Sequence, residues 1–436
     1  MSALSFSQPY VAPLPPVAAA DRFTRRMIHL YVFLLIFEGA IRKWILPGLA
    51  TPLLLVRDPL VLLIIASYWQ AGRRLINIYT LPLLVAGILS LLLTLAFAHG
   101  NVVIAVFGLR TLVLHFFLIF IIGEVFDRKE VERVGRYVVY LLPLITVLIG
   151  LQFYSPQSAW VNRGVGGDVE GAGFSGAMGY FRPSGTFSFT NGLTTFYGLA
   201  VAYVFYFWGE PSRINRLTLL AGTVSVIAAI PLSISRGYLF QVGLTVFFFV
   251  VASLRSGRSI RTLLIALVAS PLLIAILSNF GFIQTGVEVL TTRFALAAKS
   301  EGGLEGTLGE RFLGGLIQAF SSGDTPWYGQ GLGLGTNVGS TILTGGRTFL
   351  VAEGEWNRVA GEMGPILGII VILLRIVLAG QMMLAGIGAL FRNNSLPFLL
   401  LSFGFLQVLQ GGWSQPTALG FSVLSGGLII ASFNRP

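Results

Sequence analysis

Residues 102–125 read VVIAVFGLRTLVLHFFLIFIIGEV, a run of 24 in which only Arg110, His115 and Glu124 are ionisable. Wound as a helix, such a run is long enough to cross the ~30 Å hydrocarbon core of a bilayer. Similar segments fall near 27–46, 51–69, 78–98, 134–155, 190–208, 215–233, 237–254, 260–278, 359–390, 396–411 and 417–432. Composition agrees: 55% of the 436 residues are hydrophobic and 11% charged, against roughly 25% charged in soluble chains. The expected fold class is all-α, a polytopic transmembrane bundle of about twelve helices. Cysteine is absent, which excludes disulfides, thiolate metal sites and cysteine nucleophiles.

Basic residues give the orientation. With the N-terminus inside, sixteen of the 29 Lys and Arg fall on the cytoplasmic side, including Arg22, Arg25, Arg26, Arg73, Arg74, Arg128, Lys129, Arg133, Arg136 and Arg392. The opposite short loops at 99–101 and 411–417 hold none, the asymmetry of the positive-inside rule. That rule accounts for a net charge of +11 without nucleic acid. The Pro/Ala-rich residues 1–26 read as a cytoplasmic tail and not a cleaved signal; 27–436 read as a single membrane domain. Both termini are expected inside the cytoplasmic membrane of a bacterium. Two Gly-rich segments, 155–189 and the large loop at 279–358, are expected outside, and ERFLGGLIQAF in the larger one has the spacing of a surface-lying helix.

Thirteen basic residues remain, mostly in the outer half. Ionisable groups at membrane depth are costly and face a bundle interior or a water-filled cavity. Arg57 and Arg110 are such groups. Glu38 and Arg42 lie four residues apart on one helix face, and they read either as mutual neutralisation or as a polar cavity. Arg236, in SISRGY between two helices with almost no loop, is held at the outer surface. Its planar guanidinium is suited to a phosphate, or to snorkelling among headgroups. GQGLGLG at 329–335 lacks the strand–loop–helix context of a nucleotide loop; its glycines suit a tight turn or a close backbone approach. In EGEWNRVAGEMG, 353–364, Glu353 and Glu355 flank the return to the membrane, with Arg358 and Glu362 farther in. A carboxylate there is a candidate base for a hydroxyl nucleophile or a partner for Arg358.

Four spaced motifs together resemble the O-antigen polymerase and O-antigen ligase superfamily of bacterial membrane enzymes. FRPSGTFSFTNG is similar to its Arg-x-x-Gly-Thr-Phe-x-x-Pro-Asn segment, with Arg182, Gly185, Thr186, Phe187 and Asn191 in order and Thr190 in place of Pro. LSISRGYL resembles its Ser-Arg-Gly turn. GERFLGGLIQAF and PWYGQGLGLGT resemble its loop segment, which gives Arg311; EGEWNRVAGEMGPILG resembles the loop's end, with Glu362, Gly364 and Gly368. Many ligases of the family carry His nine residues before that Glu, where this chain has Glu353.

The resemblance implies a C-type glycosyltransferase that uses a polyprenyl-diphosphate-linked oligosaccharide at the outer side of the membrane, with membrane lipid and other polysaccharide-assembly proteins as further partners. A surface or exopolysaccharide polymerase is the leading expectation. The alternatives are an O-antigen-type ligase acting on a lipid or protein acceptor, and a transporter or flippase. Negative charge grows on the departing diphosphate, so preorganised cations favour the transition state. Arg236, Arg311 and Arg182 are assigned to the diphosphate, with Arg311 also counted as catalytic, and Glu353 or Glu355 is the base. The other cavity candidates are Glu38, Arg42, Arg57, Arg110, Arg358 and Glu362. No His/Asp/Glu cluster has metal-ligand spacing, so neither a metal nor a cofactor is expected. Because native cysteine is absent, single cysteines report orientation cleanly. Cysteine in place of Asp168 should react with a membrane-impermeant maleimide on intact cells, and cysteine in place of Arg74 only after permeabilisation.

Overall fold

The computed structural model describes residues 19–256, 279, 281–300, 325–345, 350–352 and 354–434. It is mostly helical, as hydrocarbon demands of a backbone that has no water to pair with. The helices are α1 (Ala19–Ala40), α2 (Ala50–Leu53), α3 (Arg57–Gln70), α4 (Thr80–Phe97), α5 (Val102–Leu109), α6 (Phe117–Val125), α7 (Arg128–Tyr154) and α8 (Thr190–Gly209). They continue with α9 (Arg216–Leu232), α10 (Arg236–Ser256), α11 (Gly281–Ser300), α12 (Asn337–Thr344), α13 (Glu355–Phe391), α14 (Ser395–Gln410) and α15 (Pro416–Ala431). Between α7 and α8 lies a small antiparallel hairpin, β1 (Phe174–Ser175) with β2 (Phe181–Arg182).

Five stretches are long and apolar enough to cross a membrane: Thr80–Phe97, Val102–Val125, Arg128–Tyr154, Arg236–Arg255 and Glu355–Phe391. A sixth arises if Pro47–Leu53 and Arg57–Gln70, bent by 42°, form one span. Length and composition therefore do not reach the expected twelve among the described residues. α9, α14 and α15 are apolar but only 17, 16 and 16 residues long, and the expected segment at 260–278 lies outside the described residues. Within 102–125, a π-helical turn from Arg110 to Leu114 joins α5 to α6.

α8 is the central helix. It is buried along most of its length and packs against α7, α9, α10, α14 and α15. Glycines let neighbours approach closely, Gly135 against Tyr203 and Gly198 against Phe403, the small-residue packing that serves where lipid is as apolar as leucine. Outward faces carry Leu62, Leu63, Leu144, Val147 and Leu384 in exposed positions. Such a surface suits hydrocarbon and not water.

α13 is not straight. Arg375 Nη1 donates to Glu355 Oε1 at 2.8 Å, although twenty residues of continuous helix would separate them by about 30 Å. The chain reverses at Gly364, where φ is +77°, so that 355–363 folds back along the rest of α13. Ala360 comes to lie against Gly368. Pro365 then starts the longer leg, where its missing N–H costs nothing. A Cβ at Gly364 would collide with the carbonyl oxygen of Trp327. Gly364→Ala should destabilise the protein by about 3 kcal/mol, from strain plus overlap. Gly380→Ala, with open space around it, should be neutral or mildly stabilising. Thermal unfolding in detergent compares the two.

Candidate functional site

The reversed leg of α13 carries three of the expected site residues into one buried ionic cluster. Glu355 accepts from Arg358 at 2.9 and 3.0 Å and from Arg375 at 2.8 Å. Glu362 accepts from Arg358 Nη1 at 2.7 Å and from the Gly335 backbone at 2.7 Å. Arg375 also donates to the carbonyls of Val408 and Gly411 and lies 4.0 Å from the centre of the Trp413 ring. Two carboxylates thus balance two guanidinium groups, and both Glu355 oxygens are engaged. That geometry suits an anchor better than a base, because proton uptake would break charged hydrogen bonds. Glu353, the other candidate base, lies outside the described residues.

The glycine loop is a neighbour of this cluster. Gln330 N–H donates to Gly361 O at 2.8 Å and Gly331 N–H to Glu362 O at 3.1 Å. These carbonyls have lost helical partners at the reversal, where Pro365 has no N–H to give. Gly333 packs on α5 at Ile104 and Gly108. On the other side Leu332 N–H meets Thr94 Oγ1, and His99 Nε2–H donates to Leu332 O. The close approach anticipated for these glycines is therefore to the chain's own helices. Trp327 and Tyr328 pack with Phe97, and Trp356 donates to Leu409 O.

A second polar cluster joins α1, α3 and the 102–125 stretch. Arg57 Nε donates to Glu38 at 2.8 Å and Arg42 Nη1 to Glu38 at 3.3 Å. Arg110 forks onto Asp58, which also meets His115 Nε2 at 3.0 Å; His115 Nδ1 in turn lies 3.1 Å from the Tyr31 hydroxyl. Glu38, Arg42 and Arg57 are thus brought together, whereas Arg110 has its own acid. Asp58 also borders a groove of about 550 Å³, otherwise apolar, at the break between α2 and α3. Each of these guanidinium groups meets a carboxylate, but two acids face three arginines, and Arg57 Nη1 and Arg110 Nη1 are buried without a hydrogen-bond partner.

The third cluster is different. Arg182 stands on β2, Arg236 is the first residue of α10, and Arg293 lies on α11. The hairpin rests on the turn before α10: Gly176 packs against Ile234, and the Thr292 hydroxyl reaches Met178 Sδ at 3.4 Å. Ile234 is buried with φ at +48°, a conformation that costs a β-branched residue roughly 1–3 kcal/mol. Ser235 Oγ caps the new helix by accepting from Tyr238 N–H at 3.2 Å. Burial pushes the pKa of Arg182 down, and the positive charges of Arg293 and Arg236 push it further. Its Nε is buried without a hydrogen-bond partner.

The structure therefore places Arg236 close enough to Arg182 to act on its charge, and adds Arg293, which the sequence reading left among the unexplained outer cations. Arg311 lies outside the described residues. Among the described residues no group of three or more His, Asp or Glu side chains is arranged to hold a metal. No model of a known protein family, no curated protein and no solved structure matches this chain.

Arg358→Ala should strand Glu362 in the interior and leave Glu355 with Arg375 alone. A loss of about 3–5 kcal/mol is the scale for an uncompensated buried charge, read as early aggregation in a heated size-exclusion series. Arg163→Ala, outside this cluster, serves as the control expected to match wild type.

Proposed function

We propose that this chain is a glycosyltransferase that takes a glycan from a polyprenyl diphosphate at the outer face of a bacterial cytoplasmic membrane and adds it to another lipid-linked repeat unit. In this reading it is a surface or exopolysaccharide polymerase. Twelve crossings, cytoplasmic termini and an external 279–358 loop belong to the same proposal.

The observation that carries it is the convergence of Arg182, Arg236 and Arg293, with a buried, unpartnered Nε on Arg182. The like charges of Arg236 and Arg293 act unfavourably on the buried guanidinium of Arg182, which costs the folded protein energy. A polyanion seated among them would turn that cost into affinity. Planar forks match phosphate oxygens in pairs, and the start of α10 adds its own positive potential beside Arg236. Apolar helices next to the cluster suit the isoprenoid tail of a lipid-linked diphosphate. In the transfer step, an acceptor hydroxyl oxygen bonds to the anomeric carbon as the bond to the diphosphate oxygen breaks. The hydroxyl proton goes to a base, for which Glu353 is the candidate, and the leaving diphosphate collects negative charge beside the arginines.

Purified protein supplied with a lipid-diphosphate-linked repeat unit should yield a product ladder on a gel. A single ligated product on an added acceptor would indicate the ligase instead. Arg236→Ala and Arg182→Ala should each reduce turnover by about a hundredfold, the scale of one lost transition-state donor, while both variants stay monodisperse. Arg236→Lys should recover little, since an ammonium cannot reproduce the paired donors. Full turnover in both alanine variants would sink the diphosphate assignment.

A further inference from the structure

Lys43 is 1% exposed, yet among the described residues no carboxylate stands within ion-pair distance of it. Its ammonium donates to Gly185 O at 2.7 Å and Ser184 Oγ at 2.9 Å, and it lies 4.7 Å from the centre of the Trp44 ring. Burying a charge without an opposite charge is costly, and a neutral donor such as glutamine makes the same hydrogen bonds at lower cost. The partners indicate what is gained in return. Ser184 and Gly185 directly follow Arg182 and Pro183, so the lysine grips the backbone immediately after the arginine.

The local structure is built around that grip. Ile41–Ile45 forms a π-helical turn in which the consecutive residues Arg42 and Lys43 are both buried, a departure of the kind that π-turns make at functional sites. Gly39 lets the 186–188 backbone lie against α1, where a Cβ would collide with it. Arg42 donates to Ser188 Oγ at 3.0 Å. From α7, Gln152 holds the same turn by accepting from Gly185 N–H at 2.8 Å. Gly185 has φ at +57°, a turn conformation that these contacts hold in place.

We propose that Lys43 is a positioning residue for the anion site: through the Ser184–Gly185 turn it fixes the backbone that carries Arg182, and its counter-charge arrives with the ligand. This rests on the phosphate reading above. The two ideas fail separately in one experiment, in which farnesyl diphosphate is titrated into the detergent-purified full chain and intrinsic fluorescence is followed.

If wild type does not bind, or binds farnesol equally well, the phosphate reading falls and takes this proposal with it. If wild type binds and Arg182→Ala weakens binding, the phosphate reading stands, and the lysine is judged alone. Lys43→Met should then weaken binding about tenfold, the scale of one lost charged hydrogen bond. Lys43→Gln, which keeps a donor, should recover part of the loss. In an Arg182→Ala background, Lys43→Met should add almost nothing, because it acts through the residue already removed. A loss of equal size in both backgrounds, or wild-type affinity in Lys43→Met, overturns the proposal. Should Lys43→Met fail to fold, Gln152→Leu reaches the same turn from α7 and is held to the same two criteria.

Discussion

Glu355 takes a carboxylate into a place that water does not reach, and two arginines three and twenty positions after it in sequence close on it from one helix folded double. Arg358 belongs to the short leg and Arg375 to the long one, so this ion cluster bolts the two legs together. Glu362 extends the bolt to the glycine loop. Removing any one charge leaves its partners without compensation in a medium where that is costly. The reversal at Gly364, the seat of the 325–336 loop and the approach of α5 all depend on the cluster staying neutral and complete.

Buried charge is used in two ways in this chain. Around Glu355 two acids and two bases are matched, and around Glu38 and Asp58 every guanidinium group meets a carboxylate. At Arg182 the neighbouring charges of Arg236 and Arg293 carry its own sign, and at Lys43 an ammonium is buried with only neutral partners among the described residues. The first arrangement serves cohesion. The second leaves positive charge beside positive charge at Arg182 and a lone ammonium at Lys43, the arrangement that the proposed anionic ligand would relieve. The contrast separates structural charge from candidate functional charge more sharply than depth or residue type does.

The apolar period of the sequence located most of the described helices, because a bilayer leaves the backbone few choices, but not α11 or α12, which fall in the stretch read as a loop. It missed the doubling of α13: the run 359–390 reads as one span, and only the pairing of Glu355 with Arg375 reveals the turn at Gly364. Glu38 with Arg42 was legible from a four-residue spacing. Asp58 with Arg110 was not, since 52 residues separate them. Arg236 drew attention through its short turn, whereas Arg293 sits in an ordinary helical stretch and gains significance only from what lies opposite. Lys43 was not legible either, because the widened turn that buries it leaves no mark in the hydrophobic pattern.

The exchange between the glycine loop and α13 has a temporal side. Gln330 and Gly331 donate to carbonyls of residues 361 and 362, some thirty positions later in the chain. During synthesis the loop is made first and has no such acceptors until the reversed leg arrives. Until then its backbone has water as its partner, which keeps it out of hydrocarbon. Closure of this region is therefore a late event, set by insertion of the helix that follows.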